Sequence, residues 1–138
     1  MKNIGIWLDK EKAHIVTLEN GMEAMNTVTS EVENYRIHGG SGTRFKGGPQ
    51  DVVQDSKYLE REKHQLKAFF KEIASNIKNA DAYVIYGPAE VKEKLNKELQ
   101  EKYKDISLKV KAVNVADSMT ENQMKALVRN FFKTNENS

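Results

Sequence analysis

The sequence predicts an α/β fold built on a mixed central sheet that begins with antiparallel strands and carries helices on both faces. Three observations lead to it. The first third of the chain alternates apolar and polar residues with the period of two that a half-buried strand requires. From Ser56 onward, apolar residues recur at three- and four-residue steps, the period of an amphipathic helix. Between two helical stretches stands Ala82-Tyr83-Val84-Ile85-Tyr86, a short apolar run suited to a strand covered on both faces. Strands that alternate with helices favour parallel neighbours, while a hairpin start makes the sheet mixed.

Taken in order, Ile4, Ile6 and Leu8 fall on one face of a first strand, and the polar turn Lys10-Glu11-Lys12 leads into His14-Ile15-Val16-Thr17-Leu18. Asn20-Gly21 tolerates positive φ at both positions and predicts a tight hairpin into the segment 22–29. Residues 32–37 read as a further extended segment. A long helix is expected from Ser56 through Leu59, Leu66, Phe69, Phe70, Ile73 and Ile77. Gly87-Pro88 ends the apolar strand and opens a second helix through Val91, Leu95 and Leu99. Ile106 to Val115 alternates again as a strand. Thr120-Glu121-Asn122-Gln123 has the form of a capping box and starts a last helix through Met124, Leu127, Val128, Phe131 and Phe132. The expected organisation is one domain over 1–133, with a mobile glycine-rich loop at 38–55 and a polar tail at 134–138.

With 138 residues and 38% hydrophobic content, the chain suits a single modest core. The absence of cysteine excludes disulfides and thiolate chemistry. No apolar run approaches the ~20 residues of a membrane span, so a cytoplasmic protein without a membrane partner is expected. No cofactor is implied. The net charge of +2 is unevenly spread: residues 36–78 hold nine Lys/Arg against five Asp/Glu, and the remainder thirteen against fifteen. A local excess of this kind suits a polyanion such as RNA, and equally a solvated helix face.

Five of the eight glycines fall between Gly39 and Gly48. They form two pairs, Gly39-Gly40 and Gly47-Gly48, around a basic finger with Arg44, Phe45 and Lys46, entered through Arg36 and His38. Glycine supplies no packing surface, so such a cluster marks a loop or a backbone that approaches a ligand closely. Phe45 between two cations suits base stacking or partner docking. Lys63, Lys67 and Lys71 repeat at four-residue steps beside the apolar stripe of the long helix, where Glu60, Glu62 and Glu72 are available to neutralise them in internal pairs.

Gly47-Gly48-Pro49-Gln50, followed by Tyr58-Leu59-Glu60-Arg61-Glu62-Lys63-His64, resembles the middle domain of the archaeal and eukaryotic class-one peptide-chain release factors and Pelota. Ile85-Tyr86-Gly87-Pro88-Ala89-Glu90-Val91-Lys92 is similar to the strand, Gly-Pro turn and lysine-bearing helix of the same domain. The resemblance implies a ribonuclease-H-like fold and a partner in the ribosome or transfer RNA. Contacts to RNA would come from Arg36, His38, Arg44, Phe45 and Lys46 on the loop and from Arg61, Lys63 and Lys67 on the helix. It also implies a Gly-Gly-Gln tip that places a water against the peptidyl-tRNA ester, a role that would fall to Gln50. Here Pro49 stands between Gly48 and Gln50, removing a backbone donor and fixing φ. Separate decoding and partner-binding domains find no counterpart in the sequence, so stop-codon reading is not expected.

Two other classes stay open at this stage. A hydrolase of peptidyl-tRNA ester or nucleic-acid phosphodiester would centre on Gln50 or on Asp9, the latter at the end of the first strand with Glu33, Asp81 and Asp117 as further acids. No DxD or HExxH spacing supports a metal. A homo-oligomeric interaction module would use an exposed first strand or the Phe131-Phe132 helix end. Trp7 reads as core or interface, His14 as a strand surface residue, and His38 as the histidine nearest the loop.

Overall fold

A computed structural model describes the backbone of residues 1–30 and 48–136, with side chains for 1–30 and 60–134. Its elements are β1 (Lys2–Leu8), β2 (Lys12–Glu19), β3 (Met22–Thr29), α1 (Gly48–Asn76), β4 (Ala82–Gly87), α2 (Val91–Lys102), α3 (Lys104–Ser107), β5 (Val110–Val115) and α4 (Glu121–Glu136). The five strands form one sheet in the order β3-β2-β1-β4-β5. β1 pairs antiparallel with β2, and β2 with β3, whereas β1 with β4 and β4 with β5 are parallel. The mixed sheet with an antiparallel start is as the sequence predicts.

Period-two alternation sorts side chains to two cores. Ile4, Ile6, Leu8, Ile15, Tyr83 and Ile85 pack on one face against Leu66, Phe69, Phe70 and Ile73 of α1 and Val91, Leu95 and Leu99 of α2. On the other face Trp7, Val16, Val84 and Tyr86 pack against Met124, Val128 and Phe132 of α4. The register sets Ile6 beside Ile15 and Ile85, and Gly5 beside Val16 and Val84. Every residue of β4 is buried, as its unbroken apolar run implies.

The local turn chemistry follows the sequence. Asn20 and Gly21 adopt φ of 54° and 80°, closing the two-residue hairpin between β2 and β3. Thr120 N donates to Gln123 Oε1 at 2.9 Å and Gln123 N to Thr120 Oγ1 at 3.2 Å, a reciprocal capping box that starts α4. At Gly87 a Cβ would stand 2.5 Å from the Leu8 carbonyl oxygen, so the end of β4 approaches β1 more closely than a side chain allows.

Four expectations are corrected. α1 begins at Gly48, not Ser56, which puts residues 48–55 of the expected loop in a helix. Pro49 is pre-set for a first helical turn and Asp51 favours the positive end of the helix dipole; neither leaves an apolar period to read. The expected strand from Ile106 begins only at Val110. The amides of Ile106 and Ser107 bond the Tyr103 carbonyl instead, so Ile106 enters the core from a helical turn while Leu108 is 83% exposed. The tail from Thr134 continues α4 to Glu136. Finally, β1 lies third in the sheet, so no free first strand is available to a second copy; Phe132 is buried and Phe131 half-buried. The segment expected at 32–37 lies outside the described residues.

α4 sits close to β1 because Gly5 has no side chain: a Cβ there would meet Val128 Cγ2 at 2.3 Å and Cγ1 at 2.7 Å. Gly5→Ala is expected to destabilise the fold by about 1–3 kcal/mol through overpacking, measured by urea denaturation.

Candidate nucleic-acid interface

α1 and α2 lie side by side on one face of the sheet because both carry an apolar stripe that only that face can bury. Between them runs a cleft of about 350 Å³. Its floor includes Leu66 and Phe70, and its rims carry Lys63 and Lys67 from α1 and Lys94 and Lys97 from α2. All four lysines are exposed. Glu62, Glu98 and Glu101 also line it.

The acids do not cancel these lysines. Glu62, 7% exposed, takes the Lys10 ammonium at 2.9 Å and so ties α1 to the β1–β2 turn. Glu98 pairs with Lys102 at 3.7 Å, and Lys94 turns to Glu90 at 3.5 Å. Lys63, Lys67 and Lys97 have no ion pair among the described residues. Neutralisation within α1 by Glu60, Glu62 and Glu72 is therefore not what the fold builds. Three free cations against one acid without an ion pair among the described residues, Glu101, above an apolar floor make an electropositive groove, suited to an anionic chain held by its charge.

Of the residues singled out from the sequence, the groove gathers Lys63 and Lys67. Arg61 is exposed on α1 but does not line the cleft. Gly48 and Gln50 lie in the first turn of α1. Arg36, His38, Gly39, Gly40, Arg44, Phe45, Lys46 and Gly47 lie outside the described residues. Lys94 and Lys97 were not singled out, because a count along the chain places them in its net-negative part. Their signal is the three-residue step beside Leu95 and Leu99, which sets both lysines along the border of a buried stripe.

The acids offered for hydrolysis do not gather around Asp9 among the described residues. Asp9 Oδ1 accepts from the amides of Glu11 and Lys12 at 2.8 and 3.0 Å, closing its own turn. Asp81 Oδ2 accepts from the Lys2 amide at the other end of β1, and Glu33 lies outside the described residues. Among the described residues no group of three or more His, Asp or Glu is placed to hold a metal ion.

Trp7 belongs to the core: it is 3% exposed, and its Nε1 donates to the carbonyls of Ala116 and Asp117 at 3.0 and 3.2 Å. Phe131 meets Phe132 edge to face, with ring centroids 5.1 Å apart. His14 is half-buried beside Trp7, with Nδ1 2.9 Å from Thr27 Oγ1. Burial lowers its pKa first and Lys12 lowers it further, while Glu121 and Asp9 oppose them.

No family model and no curated protein matches the chain. Among solved structures it is similar to Pelota of Archaeoglobus fulgidus, with a TM-score of 0.58 and 11% identity over 94% of this chain and 31% of Pelota. It is also similar to the archaeal translation termination factor aRF1, with a TM-score of 0.53 and 13% identity over 98% of this chain and 40% of that one. The chain thus spans well under half the length of each. The likeness is one of fold: a release-factor/Pelota-like mixed sheet with helices on both faces. No helix among the described residues is long and apolar enough to cross a membrane.

Because Asp9 is an acceptor for its own turn, Asp9→Ala is expected to cost about 1 kcal/mol of stability, measured by urea denaturation. A second expectation concerns His14. With its folded pKa below the ordinary histidine value of 6.5, the unfolded chain takes up a proton first as pH falls. Stability is therefore expected to decline below pH 6.5 until the lowered folded value is reached. Denaturation across a pH series should show His14→Gln losing that part of the dependence.

Proposed function

We propose that the chain is a relative of the release-factor and Pelota middle domain that binds RNA in a ribosomal or transfer-RNA setting in the cytoplasm. The observation that carries this reading is the groove between α1 and α2, where Lys63, Lys67 and Lys97 stand unpaired among the described residues. The similarity of fold to two proteins named for Pelota and translation termination supports the setting. In this reading the basic finger of Arg36, His38, Arg44, Phe45 and Lys46 and its flanking glycines share the contact with α1, whose first turn follows directly from Gly47.

Recognition would rest on phosphates. Lysine ammoniums are point charges that position a backbone and carry no information about bases. The protein would therefore bind without reading a stop codon. Hydrolysis is not part of the proposal. Gln50 follows Pro49 inside the first turn of a helix, and Asp9 is occupied by its own turn.

The test is binding to transfer RNA and to ribosomes between about 50 and about 200 mM salt. Each phosphate contact contributes about 0.7–0.9 to the slope of log K against log salt. Binding is expected to weaken steeply as salt rises, and Lys63→Ala/Lys67→Ala to flatten the slope by about 1.4–1.8. Binding that is absent at low salt, or indifferent to salt, overturns the reading.

A further inference from the structure

The groove between α1 and α2 continues beyond Lys97. Past Glu101, which lines both, lies a second cleft of about 750 Å³ at the far end of the helix pair. Lys78 after α1, Lys102 at the end of α2, Lys104 in α3 and Lys109 before β5 border it. Together the two clefts are lined by eight lysines and four carboxylates, in a chain whose whole net charge is +2. The lining therefore carries an excess of four positive charges and leaves the remainder of the chain net negative.

Local structure does not absorb that excess. The C-termini of α1 and α2 each present a partial charge of about −0.5, which offsets about one of the four. Lys102 meets Glu98 and Lys109 donates to the Ala80 carbonyl at 3.2 Å, whereas Lys78 and Lys104 have no ion pair among the described residues. Both are exposed. Free lysines thus stand in both clefts, which share Glu101.

We infer that the two clefts form a single track for the phosphate backbone of an RNA strand, running the length of the helix pair. The inference rests on the RNA-binding reading above and extends it to the C-terminal ends of α1 and α2. From Lys63 to Asn76, α1 rises by about 20 Å at 1.5 Å per residue, long enough to run beside several successive phosphates of one strand. Of the rings lining the track, Phe70 and Tyr83 are 4% and 1% exposed, too buried to stack on bases, while Tyr103 is half-buried. The track accordingly takes RNA by its backbone, and a base stacked on Tyr103 would add no dependence on sequence.

Lys78→Ala/Lys104→Ala removes two charges from the far end and leaves the Lys63/Lys67 half untouched; thermal melting verifies the fold. Fluorescence anisotropy with oligo-uridine and oligo-adenosine of about 16 nucleotides, the upper end of single-strand site sizes, reads the outcome. The double variant is expected to bind both probes more weakly and to flatten the salt slope by about 1.4, two contacts at about 0.7 each. Wild-type affinity and slope in this variant, with binding still weakened by Lys63→Ala/Lys67→Ala, overturn the track and leave the RNA reading standing. Failure of the wild-type protein to bind either probe, transfer RNA or ribosomes overturns both. Tighter binding of poly-glutamate than of RNA, lost in the same variants, overturns the track in favour of an acidic protein partner.

Discussion

The structure depends on the burial of β1 from every side. Asn3 to Leu8 are all buried, with β2 paired to one edge, β4 to the other, and helices over both faces. A strand in that position cannot carry a charge, and its one glycine lies where α4 comes nearest. The side chains on either face then determine which helix each face accepts. Ile4, Ile6 and Leu8 offer aliphatic surface wide enough for two helices, while Trp7 beside Gly5 leaves a narrower site that α4 fills with Val128.

The interface is a by-product of that division. Two helices seated on one face leave a furrow on their outer side, and the furrow takes its charge from the borders of two apolar stripes. The Glu62–Lys10 contact decides how α1 lies within it. Its carboxylate is almost fully buried while Lys10 remains half in solvent, so the pair anchors the helix to the β1–β2 turn more firmly than a surface pair would. That contact also pairs the acid beside Lys63 with a lysine that does not line the furrow. The electropositive character of the groove therefore owes as much to the partner Glu62 takes as to where the lysines stand.

What was legible in the sequence was whatever rests on neighbouring residues. Asn20-Gly21 announces its hairpin because two positive φ angles are needed at once, and Thr120 with Gln123 announces a helix start because each satisfies the other's amide. The β4 strand was legible from composition alone. Features that depend on the third dimension were not. Ile106 and Leu108 keep the spacing of a strand, yet a helical turn sends one inward and the other to solvent. The start of α1 was hidden because Pro49 and Asp51 favour a helix terminus without leaving an apolar rhythm. Half of the groove was invisible for a related reason: Lys63 and Lys94 are far apart in sequence and become neighbours only when α1 and α2 share a face.

The parallel pairing of β1 with β4 also sets a timetable for the newborn chain. Trp7 finds its partner Tyr86 only after 79 further residues, whereas β2 is within a short turn. At about 5–20 residues per second, the meander completed at Thr29 waits the 57 residues to Tyr86, about 3–11 s, with one flank of its most apolar strand unpaired. Such an edge is a template for any extended segment nearby. A strand that ends paired on both edges and covered on both faces is thus open to mispairing while the protein is being made.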